Sequence, residues 1–81
     1  MTAPHRTTFS FDYANADRAR LVERAIRQEV DEIADDRSWT TVTREGAALQ
    51  VVVAAEDLVA LRAGMNTWLT LTDVAERAAG L

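Results

Sequence analysis

Cysteine is absent from this 81-residue chain, which excludes a disulfide framework, a thiol nucleophile and a thiolate metal site. Lysine is absent too. All nine basic residues are Arg, set against thirteen Asp and Glu for a net charge of −4, so a strongly basic patch for autonomous nucleic-acid binding is disfavoured. An acidic, lysine-free surface fits a protein kept soluble in a high-salt, halophilic cytoplasm, where self-repulsion is screened; a GC-rich coding bias yields the same composition. Three glycines and one proline leave few loops from which to build a pocket. No apolar run follows a basic cluster in the opening MTAPHRTTF, and none later approaches 18 residues. Secretion and membrane spanning are therefore not expected, and the absence of cysteine suits an intracellular, cytoplasmic protein.

Catalytic equipment is equally sparse. The one histidine, His5, lies in an N-terminal stretch expected to be mobile, and no Ser-His-Asp set, HExxH, P-loop or GxGxxG is present. Asp31, Glu32, Asp35 and Asp36 lack EF-hand spacing and a glycine, so they read as a solvated acidic loop and not as a cation site. The reading is a protein that is not an enzyme, with no cofactor and no metal.

What the chain does contain is periodicity. Arg6 to Tyr13 alternates, with Phe9, Phe11 and Tyr13 on one side and Thr8, Ser10 and Asp12 on the other, as in a half-buried strand. Asn15 can cap a following helix with Asp17 in its first turn. From Ala16 to about Val30, Leu21, Val22, Ala25, Ile26 and Val30 recur at helical spacing. Asp31 to Arg37 loses the period. Ser38 to Arg44 is β-branched, Glu45-Gly46 supplies a tight turn, and Ala47 to Ala55 carries Leu49, Val51 and Val53 in alternation. A two-residue turn pairs Arg44 with Ala47, Val42 with Leu49 and Thr40 with Val51, placing Thr40 and Val42 on the core face; a three-residue bulge would turn Trp39 and Thr41 inward. The burial of Val42 favours the first. A final helix from Glu56 or Asp57 to about Ala79 presents Leu58, Leu61, Met65, Trp68 and Ala75 to the core. Leu69, Leu71, Val74 and Ala78 extend its apolar surface beyond what one small sheet covers, which points to burial against another chain.

The β-α-β-β-α order predicts an α+β, two-layer single domain over residues 1–81. Two helices lie on one face of a three-stranded antiparallel sheet of order 1-3-2, because the right-handed crossover leaves room for the Val-rich third strand in the middle. Some RNA-binding domains share that layout, but a KH domain needs a GXXG loop, and Gly46, Gly64 and Gly80 are far apart. An RRM needs exposed aromatics beside basic residues on its central strands, where this chain has Gln50, Val52 and Ala54. The distinctive residues are Arg62 and Asn66, one turn apart on the last helix. Together they offer a forked donor and an amide suited to a partner's backbone or carboxylate. Gly64 between them costs about 1 kcal/mol relative to Ala, which close approach of a partner helix would offset.

Over nearly its whole length the chain resembles the small dimerisation subunit of the KEOPS complex, the Pcc/CTAG-type family of archaea and eukaryotes. The resemblance rests on TFSFDYANADRARLVERAI, on EG before a hydrophobic strand, and above all on Ala54, Asp57, Ala60-Leu61-Arg62-Ala63, Asn66-Thr67 and Leu69. Thr70 stands where the family commonly has Arg. The resemblance implies a non-catalytic subunit of an archaeal-type complex that installs threonylcarbamoyl on tRNA adenosine. It would bind the catalytic ASKHA-fold subunit through Arg62, Asn66, Thr67 and Leu69, form a homodimer, and engage tRNA indirectly through the complex. The other reading is a stand-alone structural or RNA-binding homodimer unrelated to KEOPS.

Overall fold

The computed structural model describes residues 4–30 and 37–81. Its elements run β1 (His5–Asp12), α1 (Ala16–Arg27), β2 (Ser38–Glu45), β3 (Ala48–Ala55) and α2 (Leu58–Ala78). β3 lies between β1 and β2 in an antiparallel sheet of order β1-β3-β2, as the crossover argument requires. His5 is therefore part of a strand, paired with Ala55, and not of a mobile end.

Alternation on β3 puts Leu49, Val51, Val53 and Ala55 into the core, all fully buried, with Phe9, Phe11 and Val42 beside them on the same face. Burial of the hairpin faces is as expected, with Val42 inside, but the pairing differs by two residues: Val42 opposes Val51, and Arg44 opposes Leu49. The turn is Gly46-Ala47, one position later than Glu45-Gly46. Gly46 takes φ 61° and no non-glycine residue has positive φ. Glycine at the first central position of a two-residue hairpin is what a type II′ turn demands, whereas Glu45 there would be strained.

Each helix is capped at its start by a side chain. Asn15 accepts from the Arg18 amide at 2.9 Å, and Asp57 from the Ala60 amide at 2.8 Å. α1 stops at Arg27, short of Val30, and its buried stripe is Ala19, Val22 and Ile26. Leu21 is exposed and so is Ala25, because both fall on the side turned from the sheet. α2 ends in a Schellman arrangement: Gly80 (φ 77°) and Leu81 return their amides to the Arg77 and Glu76 carbonyls at 3.1 and 2.9 Å.

The core stripe of α2 is Ala60, Trp68, Thr72 and Ala75, with Leu61 and Met65 half-buried. Leu58 was expected there, but it is 56% exposed. Leu58 keeps the seven-residue spacing to Met65, but it is the first residue of the helix, with Leu61 half-buried one turn further on. Thr72 is buried without cost to its hydroxyl, which donates to the Trp68 carbonyl at 2.8 Å. Gly64 serves the chain's own packing: a Cβ built there would lie 2.7 Å from Val53 Cγ1. The close approach that glycine permits is therefore between α2 and β3. The acidic segment from Asp31 to Asp36 lies outside the described residues.

Candidate protein interface

Among the described residues both helices lie on one face of the sheet, and the face of α2 turned away from the sheet is exposed. Arg62 and Asn66 sit on that face, exposed, one turn apart. Leu69 is 40% exposed beside them, and Thr67 is half-buried on the flank. The structure thus brings Arg62, Asn66 and Leu69 together and sets Thr67 to one side. Further apolar side chains are exposed: Leu58, which periodicity placed in the core, Val59 and Val74 on α2, the last as expected, and Leu21 on α1. The signal for Val59 was present in the sequence as an apolar residue one position off the core stripe.

Electrostatics single out Arg62 further. α2 carries four charged side chains, and three are engaged. Arg77 pairs with Asp73 at 2.7 Å, and Glu76 accepts the Tyr13 hydroxyl at 2.6 Å. Among the described residues no ion pair or side-chain hydrogen bond uses Arg62, so its guanidinium keeps its full donor set for another molecule. A cation held in no internal contact gains the most from a carboxylate or carbonyl supplied from outside.

The helix bearing that cation is fixed at both ends. At its start, Asp57 caps Ala60 with one carboxylate oxygen and receives the Arg37 guanidinium on the other, while the Glu56 amide donates to the Arg37 carbonyl at 2.9 Å. The Arg37 hydrogen bond, followed by the Ala60 amide, holds the Asp57 carboxyl below the usual range. At its end, the Tyr13 hydroxyl ties Glu76 to the exit of β1, and burial followed by the Glu76 hydrogen bond pushes the phenol pKa up. Between α1 and β2, Glu23 receives Arg44 on one oxygen at 2.8 Å and Arg27 on the other at 2.9 Å, and the Arg44 bond chiefly holds its carboxyl low. These contacts stiffen the scaffold under the patch.

Among the described residues no group of three or more His, Cys, Asp or Glu side chains could hold a metal ion, and no helix is long and apolar enough to cross a membrane. The described residues form a small two-layer α+β fold with an exposed helix face. The model of the family described as Transcription factor Pcc1 matches residues 6–79, and the chain belongs to that family, which is the KEOPS subunit family. The family is a non-catalytic accessory component of the KEOPS complex, which works with protein partners. No curated protein matches the chain.

Proposed function

We propose that this chain is the non-catalytic dimerisation and scaffold subunit of a KEOPS complex, supporting threonylcarbamoyladenosine modification of tRNA by binding the catalytic ASKHA-fold subunit. Membership of the Pcc1 family across residues 6–79 carries the reading. The docking surface is the outer face of α2, where the unpaired Arg62 and Asn66 supply directional polar contacts and Leu69 supplies apolar area, with Thr67 at the margin. A central Arg ringed by apolar side chains is the composition of an interface hot spot. Thr70 contributes a hydroxyl where relatives commonly offer a second cation, so recognition concentrates on Arg62. A homodimer then joins two such assemblies, and tRNA is engaged by the complex and not by this subunit alone.

Reconstitution tests the proposal. Purified chain mixed with the KEOPS catalytic subunit should co-elute as one species, while the chain alone neither hydrolyses ATP nor modifies tRNA. Separate elution at tens of micromolar of each protein would contradict the reading.

A further inference from the structure

We propose that the open face of the sheet holds a single nucleotide, its base stacked on the Trp39 indole and its phosphate on the Arg6 guanidinium, with Ala54 as the floor between them. The inference goes beyond the partner proposed for α2, whose surface lies on the opposite side of the molecule.

The helices cover the sheet face that carries Leu49, Val51 and Val53, and alternation turns the intervening residues to the other side. There the register sets them in rows across the three strands. Arg6 and Trp39 both oppose Ala54, one from each edge strand, so their Cα atoms lie about 10 Å apart with only a methyl group between them. A flat molecule can rest in that gap. Arg6 is exposed and Trp39 is 44% exposed. Neither side chain makes an ion pair, a hydrogen bond or a ring contact among the described residues. The indole therefore keeps an apolar plane in water, and the guanidinium keeps its whole donor fork.

A ring platform and a guanidinium at this spacing match a flat heterocycle that carries an anion. Aromatic side chains stack on any nucleobase, and Arg grips a phosphate through two parallel hydrogen bonds. One row along the sheet, about 7 Å away, Thr8 and Thr41 flank Val52 and bring hydroxyls within reach of a sugar. A docking helix fits this face less well, because Trp39 is the only large apolar side chain exposed on the strands and its neighbours in the next row are those two threonines. There is too little apolar area to cover one. A nucleic-acid strand is disfavoured as well. Arg6 is the only cation on the face, Asp12 and Glu45 stand at its far end on either side of Ala48, and the chain as a whole carries −4. One phosphate finds a partner and the next ones meet repulsion.

Nitrogen-15 NMR of the whole chain tests the assignment, because its two tryptophans give separate indole N–H signals, one from Trp39 and one from Trp68, which is 2% exposed in the core. Adenosine 5′-monophosphate, titrated at low salt, should shift the Trp39 signal with a dissociation constant of about 1 mM or somewhat weaker, and leave Trp68 in place. Arg6→Gln should weaken that binding roughly tenfold while leaving the weaker binding of adenosine, which has no phosphate, unaltered. Trp39→Ala should abolish the response to both ligands at the Val52 and Ala54 amides. Both side chains are exposed, so thermal melts should show both variants folded. A six-nucleotide adenine strand should bind within about tenfold of the monophosphate. No shift of Trp39 at saturating monophosphate, or a shift that Arg6→Gln leaves unchanged, overturns the site. A strand bound roughly a hundredfold more tightly than the monophosphate, with a steep loss on adding salt, overturns the single nucleotide in favour of a polymer.

Discussion

Replacing Gly64 with Ala separates the close-packing account of α2 from an ordinary helix substitution. In an unobstructed helix interior the change stabilises by about 1 kcal/mol. Here the new Cβ would sit 2.7 Å from Val53 Cγ1, about an ångström inside the normal carbon–carbon separation. Val53 is fully buried, and β-branching leaves its side chain little freedom to turn away. Overpacking of this kind costs about 1–3 kcal/mol, so the net effect of Gly64→Ala is a loss of about 1 kcal/mol, or a Tm drop of roughly 4–8 °C for a chain of this size. Val53→Ala removes the obstructing methyl, and in that background Gly64→Ala should raise Tm. Thermal unfolding of the four proteins at one fixed concentration gives a coupling of about 1–3 kcal/mol. A rise in Tm for Gly64→Ala in the native background, or additivity across the cycle, would refute the contact.

Glu23 should set part of the acid sensitivity. Its carboxyl is held low in the folded protein, so its contribution is complete above the ordinary glutamate range and is lost as pH falls through the depressed folded value. Carbon-detected NMR titration should find Glu23 still ionised where exposed glutamates are protonated, and Arg44→Ala should return it toward them while flattening the stability slope between about pH 5 and pH 3. If the lysine-free surface of net charge −4 is an adaptation to a salty cytoplasm, Tm should climb from ~0.1 M to molar KCl as repulsion is screened. A flat or falling curve assigns the composition to coding bias.

Much of this fold was legible because period-two alternation, the Asn15 cap and the β-branched third strand all point the same way. The errors have local causes. Leu58 and Leu21 are apolar residues that obey the helical spacing but lie at a helix end or on a flank, where periodicity does not report whether anything lies opposite. The hairpin turn moved to Gly46-Ala47 because only backbone geometry says which residue must take positive φ. Thr72 counts as polar in any pattern, yet its own helix satisfies it. Gly64 reads in the sequence as room for a partner helix, whereas the position of Val53 shows that the room is taken by the chain's own sheet. At the candidate site, the placement of Arg62 and Asn66 on one helix face could be read from spacing, but that Arg62 has no ion pair among the described residues depends on where Asp73, Glu76 and Arg77 fall.

The central claim is that the outer face of α2 grips the KEOPS catalytic subunit through Arg62. Titration calorimetry of that subunit with native protein and with Arg62→Ala tests it directly. The account predicts binding weakened by about 1.5–3 kcal/mol, roughly ten- to more than a hundredfold, while thermal unfolding of the isolated chain changes by no more than about 0.5 kcal/mol. Unaltered affinity in the folded variant would contradict it.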